Sequence, residues 1–166
     1  LPTAASANIE VAATLGDLAA AAREVGGKHV EVTTLARPDE DPHYVDAKPN
    51  YVRILSDADL LIYNGMSLEI GWLPELLESS RNGAIQEGSE GNFDASTVVQ
   101  RMGVPDTAVT RSMGDVHPDG NPHYTLDPRQ MARVAIGLGK RLGELDPAHS
   151  DGYMERARSL DRKSVV

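Results

Sequence analysis

The sequence contains no cysteine and only one tryptophan, Trp72. The absence of cysteine excludes disulfide bonds and metal sites built from thiolates. Long hydrophobic runs are absent as well, and no apolar segment approaches the roughly 20 residues that a membrane-spanning helix needs. Positively charged residues are fewer than negatively charged ones, with 16 Lys and Arg compared with 25 Asp and Glu, which gives a net charge of −9. This acidic balance argues against nucleic acid and anionic membranes as partners.

What remains is the composition of an ordinary globular domain. The chain has 166 residues, of which 40% are hydrophobic and 25% charged, enough for one domain with a real core. A cysteine-free chain suits an oxidising bacterial periplasm. The opening LPTAASAN is typical of a mature N-terminus left after signal-peptide cleavage, although an artificial start of the chain would look the same.

Short apolar segments alternate with helical patterns, which predicts an α/β fold with a mainly parallel sheet flanked by helices. Strands are predicted at residues 9–13, 30–35, 60–63 and 84–87, helices at 16–25, 49–57, 128–145 and 148–163, and a turn into a helix at 68–79. The segment 88–92 is interpreted as a flexible loop, and 93–111 is poorly patterned. In such folds ligands bind outside the carboxyl ends of the strands.

Two of the five histidines lie in one loop that is rich in proline and glycine. Pro118, Gly120 and Pro122 exclude a helix or a central strand across His117 and His123. The loop closes at an Asp-Pro pair, which is typical of an N-cap and the first helical residue. A loop pinned to a helix start can hold an imidazole in place, and neutral imidazole is the commonest metal ligand. Taken alone, however, this loop is better explained by solvated histidines.

A second loop has the same design. His43 follows Asp41-Pro42 behind a predicted strand, and a Lys-Pro pair then opens the next helix. Two distant loops that each present a histidine after a proline suit a metal site assembled from different parts of the chain, whereas structural sites more often show close Cys or His pairs. His29 and Glu69, by contrast, are interpreted as solvated side chains.

Motifs in a fixed order along nearly the whole chain resemble those of one protein family. They are DPHY followed by DAKP at 41–49, DADL with YNG, LE and WL at 57–73, NPHY with LDP at 121–128, and ELDP with Tyr153 at 144–153. Together they resemble the zinc- and manganese-binding solute-binding proteins of ABC uptake transporters. Each motif alone would be weak, but the ordered set is fairly specific.

The resemblance implies capture and delivery of a metal ion rather than catalysis, so the chain would not be an enzyme. His43 and His123 match the family's first two metal ligands, and His117 is a candidate metal-recruiting residue on the loop of His123. Because metal-bound histidines usually donate their second ring N–H to an acceptor, Asp41 or a backbone carbonyl is expected in that role. The implied cargo is Zn²⁺, favoured by the extra His117, with Mn²⁺ as the alternative.

A partner and a compartment also follow from the resemblance. The loaded protein would dock on an ABC transporter permease, with a metallochaperone as a second candidate partner and no role for nucleic acid. It would act as a monomer in the periplasm, after removal of its signal peptide.

Members of this family are much longer than the present chain. Residues 1–147 correspond to an N-terminal α/β metal-binding lobe, and 148–166 are expected to leave that lobe towards a long connecting helix. The family's C-terminal lobe supplies a third ligand, His or Glu, and an acidic fourth, which would lie beyond residue 166. A smaller departure is Tyr124-Thr125, where the family more commonly has a tryptophan.

Two functions of other classes stay open at this point. One is a metal-dependent hydrolase that uses His43 and His123 and needs a third ligand and a general base, for which Glu69, Asp41 and Asp115 are candidates. The other is a metal-free adhesin or interaction domain on the same scaffold, since a fold does not dictate function.

Overall fold

The computed structural model describes residues 8–106 and 116–163. Its strands are β1 (Ile9–Ala13), β2 (Val30–Thr34), β3 (Leu60–Tyr63) and β4 (Asn92–Asp94). They form a four-stranded sheet in the order β2-β1-β3-β4, and every neighbouring pair is parallel. The prediction of an α/β fold with a mainly parallel sheet is therefore confirmed.

Five α-helices in the described residues cover this sheet. They are α1 (Gly16–Gly26), α2 (Pro49–Asp57), α3 (Leu73–Ser80), α4 (Pro128–Leu145) and α5 (Ser150–Lys163). Helix α4 begins as predicted, because the Asp127 carboxylate accepts a hydrogen bond from the Arg129 N–H and Pro128 occupies the first turn. None of the helices in the described parts of the chain combines the length and the apolar character that crossing a membrane requires.

Alternate residues of the central strands face two different helical layers. Val11 and Ala13 of β1 pack in the cluster that contains α1, α4 and α5, whereas Ala12 packs in the cluster of α2 and α3. Strand β3 alternates in the same way. Both strands are covered on both faces, which is why the sequence LLIY reads as a continuous apolar run.

The fourth strand differs from the prediction. A strand at 84–87 is wrong, because Gly83–Ile85 form a 3₁₀ turn that the Asn82 side chain caps. The strand that pairs with β3 is β4, within the region interpreted as flexible and poorly patterned. It has three residues, of which Phe93 alone is apolar, so it is too short for its periodicity to be detected.

Helix α5 packs against the domain. Tyr153 and Ala157 are fully buried in the cluster that α1 and α4 form. Arg156 donates hydrogen bonds to the carbonyl oxygens of Val25, at 2.6 Å, and Gly26, at 3.1 Å, at the end of α1. The expectation that the chain leaves the domain after residue 147 is therefore wrong for α5, because the apolar side of this helix is covered by α1 and α4.

A substitution in helix α4 tests the described hydrophobic core. Leu138 is fully buried between the sheet and α5, so Leu138→Ala should lower the free energy of unfolding by about 2–5 kcal/mol, through lost burial and a residual cavity. Urea denaturation followed by circular dichroism measures this change. The matched control is Leu126→Ala, because Leu126 is 84% exposed and its truncation should cost less than about 0.5 kcal/mol. Equal losses in the two variants would contradict the described core.

Candidate metal centre

The order of the strands creates a crevice at one edge of the sheet. Strand β1 lies between β2 and β3, so the connection after β2 must cross β1 to reach β3. The carboxyl ends of β1 and β3 adjoin at this switch point, which is where doubly wound sheets bind ligands. Thr14 follows β1 and Asn64 follows β3 at this edge, and the His43 loop follows β2.

Glu69 lies at the bottom of this crevice and is only 3% exposed. Its Oε1 accepts hydrogen bonds from the Thr14 hydroxyl, at 2.6 Å, and from the backbone N–H of Asn64, at 2.7 Å. Its Oε2 accepts a third from the N–H of Gly65, at 3.2 Å. The interpretation of Glu69 as a solvated carboxylate is wrong, because the chain reverses after β3 and turns this side chain back under the strand ends.

Burial sets the ionisation of this carboxyl group. Removal from water raises the pKa of Glu69, and the hydrogen bonds from Thr14, Asn64 and Gly65 act in the opposite direction. The raised pKa means that desolvation is the larger effect. Glu69 is therefore a structural group, buried beneath the crevice and bonded to the ends of two strands.

An unusual backbone turn brings Glu69 into this position. Gly65, Met66 and Ser67 have φ angles of 78°, 51° and 62°, a left-handed run that only glycine adopts without strain. A Cβ atom at position 65 would also collide with the carboxylate of Asp94 and the hydroxyl of Ser96. Glycine at position 65 is thus required by both conformation and space.

The Asn64 side chain fixes the loop that carries His123. Its Nδ2 donates a hydrogen bond to the carbonyl oxygen of Pro122, at 2.9 Å, directly before the histidine. Tyr124, directly after it, donates its hydroxyl to the carbonyl oxygen of Asn64, at 2.6 Å. Burial raises the pKa of Tyr124, so this hydroxyl keeps its proton and remains a donor. His123 is therefore held between two anchored neighbours.

Trp72 fixes the loop that carries His43. The indole N–H donates to the carbonyl oxygen of Pro42, at 2.9 Å, while the ring is 3% exposed in the layer of α2 and α3. The interpretation of Trp72 as a packing residue holds, and the hydrogen bond adds a positioning contact. Both histidine loops are thus tied to the same turn after β3 through the carbonyl group that precedes each histidine.

The ring of His43 is oriented by Asp41. Oδ1 of Asp41 accepts a hydrogen bond from the His43 backbone N–H, at 2.9 Å, and lies 2.7 Å from the ring Nδ1. These bonds lower the pKa of Asp41, the backbone bond most, so the carboxylate stays ionised as an acceptor. With Nδ1 engaged as a donor, Nε2 of His43 presents its lone pair at the opposite side of the ring.

Three imidazoles meet at this point. Nε2 of His43 lies 3.2 Å from Nε2 of His117, with ring centroids 5.3 Å apart, and the His43 and His123 centroids are 5.7 Å apart. Two nitrogens that bind one tetrahedral zinc at about 2.0–2.1 Å lie about 3.3 Å apart, so the His43–His117 spacing matches one edge of that shell. His43 and His117 are half-buried, whereas His123 is exposed at the rim.

The structure brings together most of the residues singled out in the sequence. His43, His117, His123 and Asp41 converge, although the sequence predicts His117 only as a metal-recruiting residue. The candidate Asp115 lies outside the described residues. The supporting bonds of Asn64 and Glu69 were not foreseen, because nothing in a single sequence reveals which carbonyl a buried side chain meets; the Asn-Gly pair was the available signal.

The chain is similar to known proteins in sequence and in fold. Residues 11–164 match the family model described as zinc-uptake complex component A, periplasmic. A metal ABC transporter substrate-binding lipoprotein of Streptococcus cristatus, ScbA, is 26% identical over 169 residues, covering 96% of this chain and 51% of that protein. The manganese-binding lipoprotein MntA of Bacillus subtilis is 36% identical over 92 residues, covering 53% of this chain and 30% of that protein.

Solved structures support the fold. The crystal structure of ZnuA superposes with a TM-score of 0.74 at 22% identity, covering 95% of this chain and 55% of that one. The chain thus spans about half the length of the ScbA and ZnuA proteins it matches.

Burial of Glu69 predicts that the free energy of unfolding of the domain depends on pH. A carboxyl group whose pKa is raised in the folded state keeps its proton at a pH where the unfolded chain has released it. Its contribution to stability should therefore decline as the pH rises above the ordinary glutamate pKa of about 4.3. Urea denaturation between about pH 4 and pH 8 should show this decline in the unmodified protein and its loss in Glu69→Gln.

The control for this experiment is Glu75→Gln, which removes an exposed glutamate from the start of α3. This variant should keep the pH dependence of the unmodified protein. Identical pH profiles for Glu69→Gln and Glu75→Gln would show that burial of Glu69 does not perturb its protonation.

Proposed function

Since its residues 11–164 match the model of zinc-uptake complex component A, the chain belongs to that family, and we propose that it captures a divalent transition metal ion as cargo for an ABC importer. The observation that carries the proposal is the convergence of His43, His117 and His123, with two ring nitrogens at the spacing of a tetrahedral zinc shell. The contact between Asp41 and His43 supports it, because carboxylate–histidine–metal arrangements orient the ring and raise its basicity.

Capture in this proposal is a replacement of hydration water by imidazole nitrogens. His43 and His117 take the first two positions, and the exposed His123 swings in from the rim to take a third. The ligands must be neutral to bind, so uptake of the ion releases any protons they carry, and binding should weaken in mildly acidic solution. Water or a group from outside the described residues completes the shell.

Zinc is the cargo that we favour. Three imidazoles without a carboxylate ligand form a donor set that suits zinc better than manganese, which prefers oxygen donors. The named relatives include a manganese-binding lipoprotein, and the family model is that of a zinc-uptake component. The choice for this chain therefore rests on His117, the additional nitrogen donor.

The rim of the centre has the character of a surface that meets another part of a two-lobed protein. Tyr44 beside His43 is 78% exposed, Ile70 before the Trp72 turn is 71% exposed, and Leu126 after His123 is 84% exposed. Large apolar side chains in this setting commonly mark an interaction surface. In our proposal they contact a second lobe, which would supply the remaining ligands, as the greater length of ScbA suggests.

Membership of this family also suggests where the bound metal ion is delivered. ScbA is a metal ABC transporter substrate-binding lipoprotein, and we propose that this protein likewise hands its ion to a membrane permease outside the cytoplasm. The family consists of binding components, so the prediction that the chain is not an enzyme is confirmed. Glu69, one of the candidate general bases, is buried beneath the crevice with both carboxylate oxygens accepting hydrogen bonds, which disfavours that role.

Zinc calorimetry at neutral pH tests the ligand assignment. His43→Ala and His123→Ala should each weaken the tightest zinc binding by more than about 100-fold, and Asp41→Asn by about 10–100-fold, the usual effect of losing an orienting partner. Asp46→Ala is the control, because it shortens an exposed side chain in the loop of His43 and leaves the candidate metal ligands intact. An unchanged isotherm after loss of both His43 and His123 would refute the metal centre.

The selectivity of the centre is tested with His117→Ala. Removal of this imidazole should lower the affinity for zinc by more than it lowers the affinity for manganese, so the ratio of the two affinities should fall at least about tenfold. Calorimetry gives the zinc value, and electron paramagnetic resonance of free Mn²⁺ gives the manganese value. An unaltered ratio would mean that His117 is not a ligand and contributes nothing to selectivity.

A further inference from the structure

A second group of metal-binding side chains lies at the other end of the sheet. His29 ends a 3₁₀ turn, Gly27–His29, directly before β2, whereas His43 follows β2. Because β2 has five residues that each advance the chain by about 3.3 Å, the strand is about 16 Å long, and the two histidines lie beyond its opposite ends. Asp146 and His149 lie at the corner between α4 and α5 and meet His29 there.

The three side chains form a compact, half-buried cluster. One donor atom from each of His29, Asp146 and His149 lies within 4.8 Å of the others. The two imidazole rings are stacked with centroids 3.8 Å apart and an interplanar angle of 28°. The interpretation of His29 as a solvated histidine at the start of a strand is therefore wrong, because the turn after α1 places its ring against His149.

The carboxylate of Asp146 is held in place from two sides. Its Oδ2 lies 2.6 Å from Nδ1 of His149 and accepts a hydrogen bond from the hydroxyl of Tyr153, at 2.7 Å. Tyr153 is fully buried, so it is a fixed orienting group of the kind found behind metal ligands. The carboxylate thus has a defined position at the mouth of the cluster.

Burial and neighbouring positive charge keep the His29 ring in its uncharged form, which is the form that binds a metal ion. Two stacked imidazoles disfavour a second proton, and partial burial together with the neighbouring His149 lowers the pKa of His29. Arg156 and Lys28 contribute positive charge nearby, but the Arg156 guanidinium donates to the carbonyl oxygens of Val25 and Gly26. The ring nitrogens of the two histidines and the Asp146 carboxylate are thus the donor set of the cluster.

We propose that His29, Asp146 and His149 form a second binding site for a divalent transition cation of the zinc class, separate from the His43 centre. Two imidazoles and one carboxylate are a common three-ligand set for zinc, with a fourth position left to water. Binding separates the stacked rings so that a nitrogen of each faces the ion, and it replaces the contact between Asp146 and His149 with two bonds to the ion. The ion thereby joins the start of β2 to the α4–α5 corner.

The test uses a variant in which the first centre is removed. With His43→Ala, His117→Ala and His123→Ala combined, His29 and His149 are the two histidines left of the original five. Zinc is titrated while nuclear magnetic resonance follows the two imidazole side chains and calorimetry follows the heat. Both signals should shift together and saturate at one equivalent of zinc. Failure of either imidazole to respond at millimolar zinc would overturn the proposal.

Asp146→Asn in the same background should reduce the zinc affinity at least tenfold. Its matched control is Asp151→Asn, which neutralises an exposed aspartate in the first turn of α5 and should leave the affinity unchanged. Equal affinities in the two variants would overturn the role of Asp146. Circular dichroism verifies that each variant is folded.

If the triple variant is not folded, the unmodified protein is titrated instead. His29→Gln and His149→Gln assign the two signals, which must then shift on zinc addition for the proposal to stand. Because these readouts follow His29 and His149 directly, they are independent of whether the His43 centre binds metal.

Discussion

The buried carboxylate of Glu69 is the group on which the ligand end of this domain depends. Moving an ionisable group out of water is costly, and here the cost is offset by the Thr14 hydroxyl and by the backbone amides of Asn64 and Gly65. Those amides lie just beyond the end of β3, where the sheet no longer supplies acceptors. Glu69 thus accepts hydrogen bonds from the residues that follow β1 and β3. These bonds allow the chain to turn sharply after β3.

Residues of that turn also fix the backbone of the two loops that carry His43 and His123. Asn64 bonds to the carbonyl group before His123, and Trp72 bonds to the carbonyl group before His43. Neither anchor uses a histidine side chain, so both rings remain available to a ligand while their backbones are fixed. Preorganisation of this kind reduces the conformational entropy that binding would otherwise cost, which is how a rigid scaffold supports a site built on loops.

Periodicity and capping patterns were sufficient to predict the first three strands and helix α4 almost to the residue, because the strands are rich in apolar and β-branched residues and the helix keeps a 3.6-residue apolar period. They failed at β4, where three residues with one apolar side chain leave no period to detect. In the candidate centre, the histidines were visible through their Pro-rich loops. The role of Glu69 and the pairing of His29 with His149 depend on tertiary contacts between distant segments, which local patterns do not encode.

The hydrogen bond between the indole of Trp72 and the carbonyl oxygen of Pro42 also has a spectroscopic meaning. Trp72 is the sole tryptophan of the chain, so all indole emission originates from a ring that is hydrogen-bonded to the residue before His43. Its N–H is bonded to the loop that carries His43, and its ring is shielded from water. The fluorescence of the unlabelled protein is therefore a native reporter of the state of that loop.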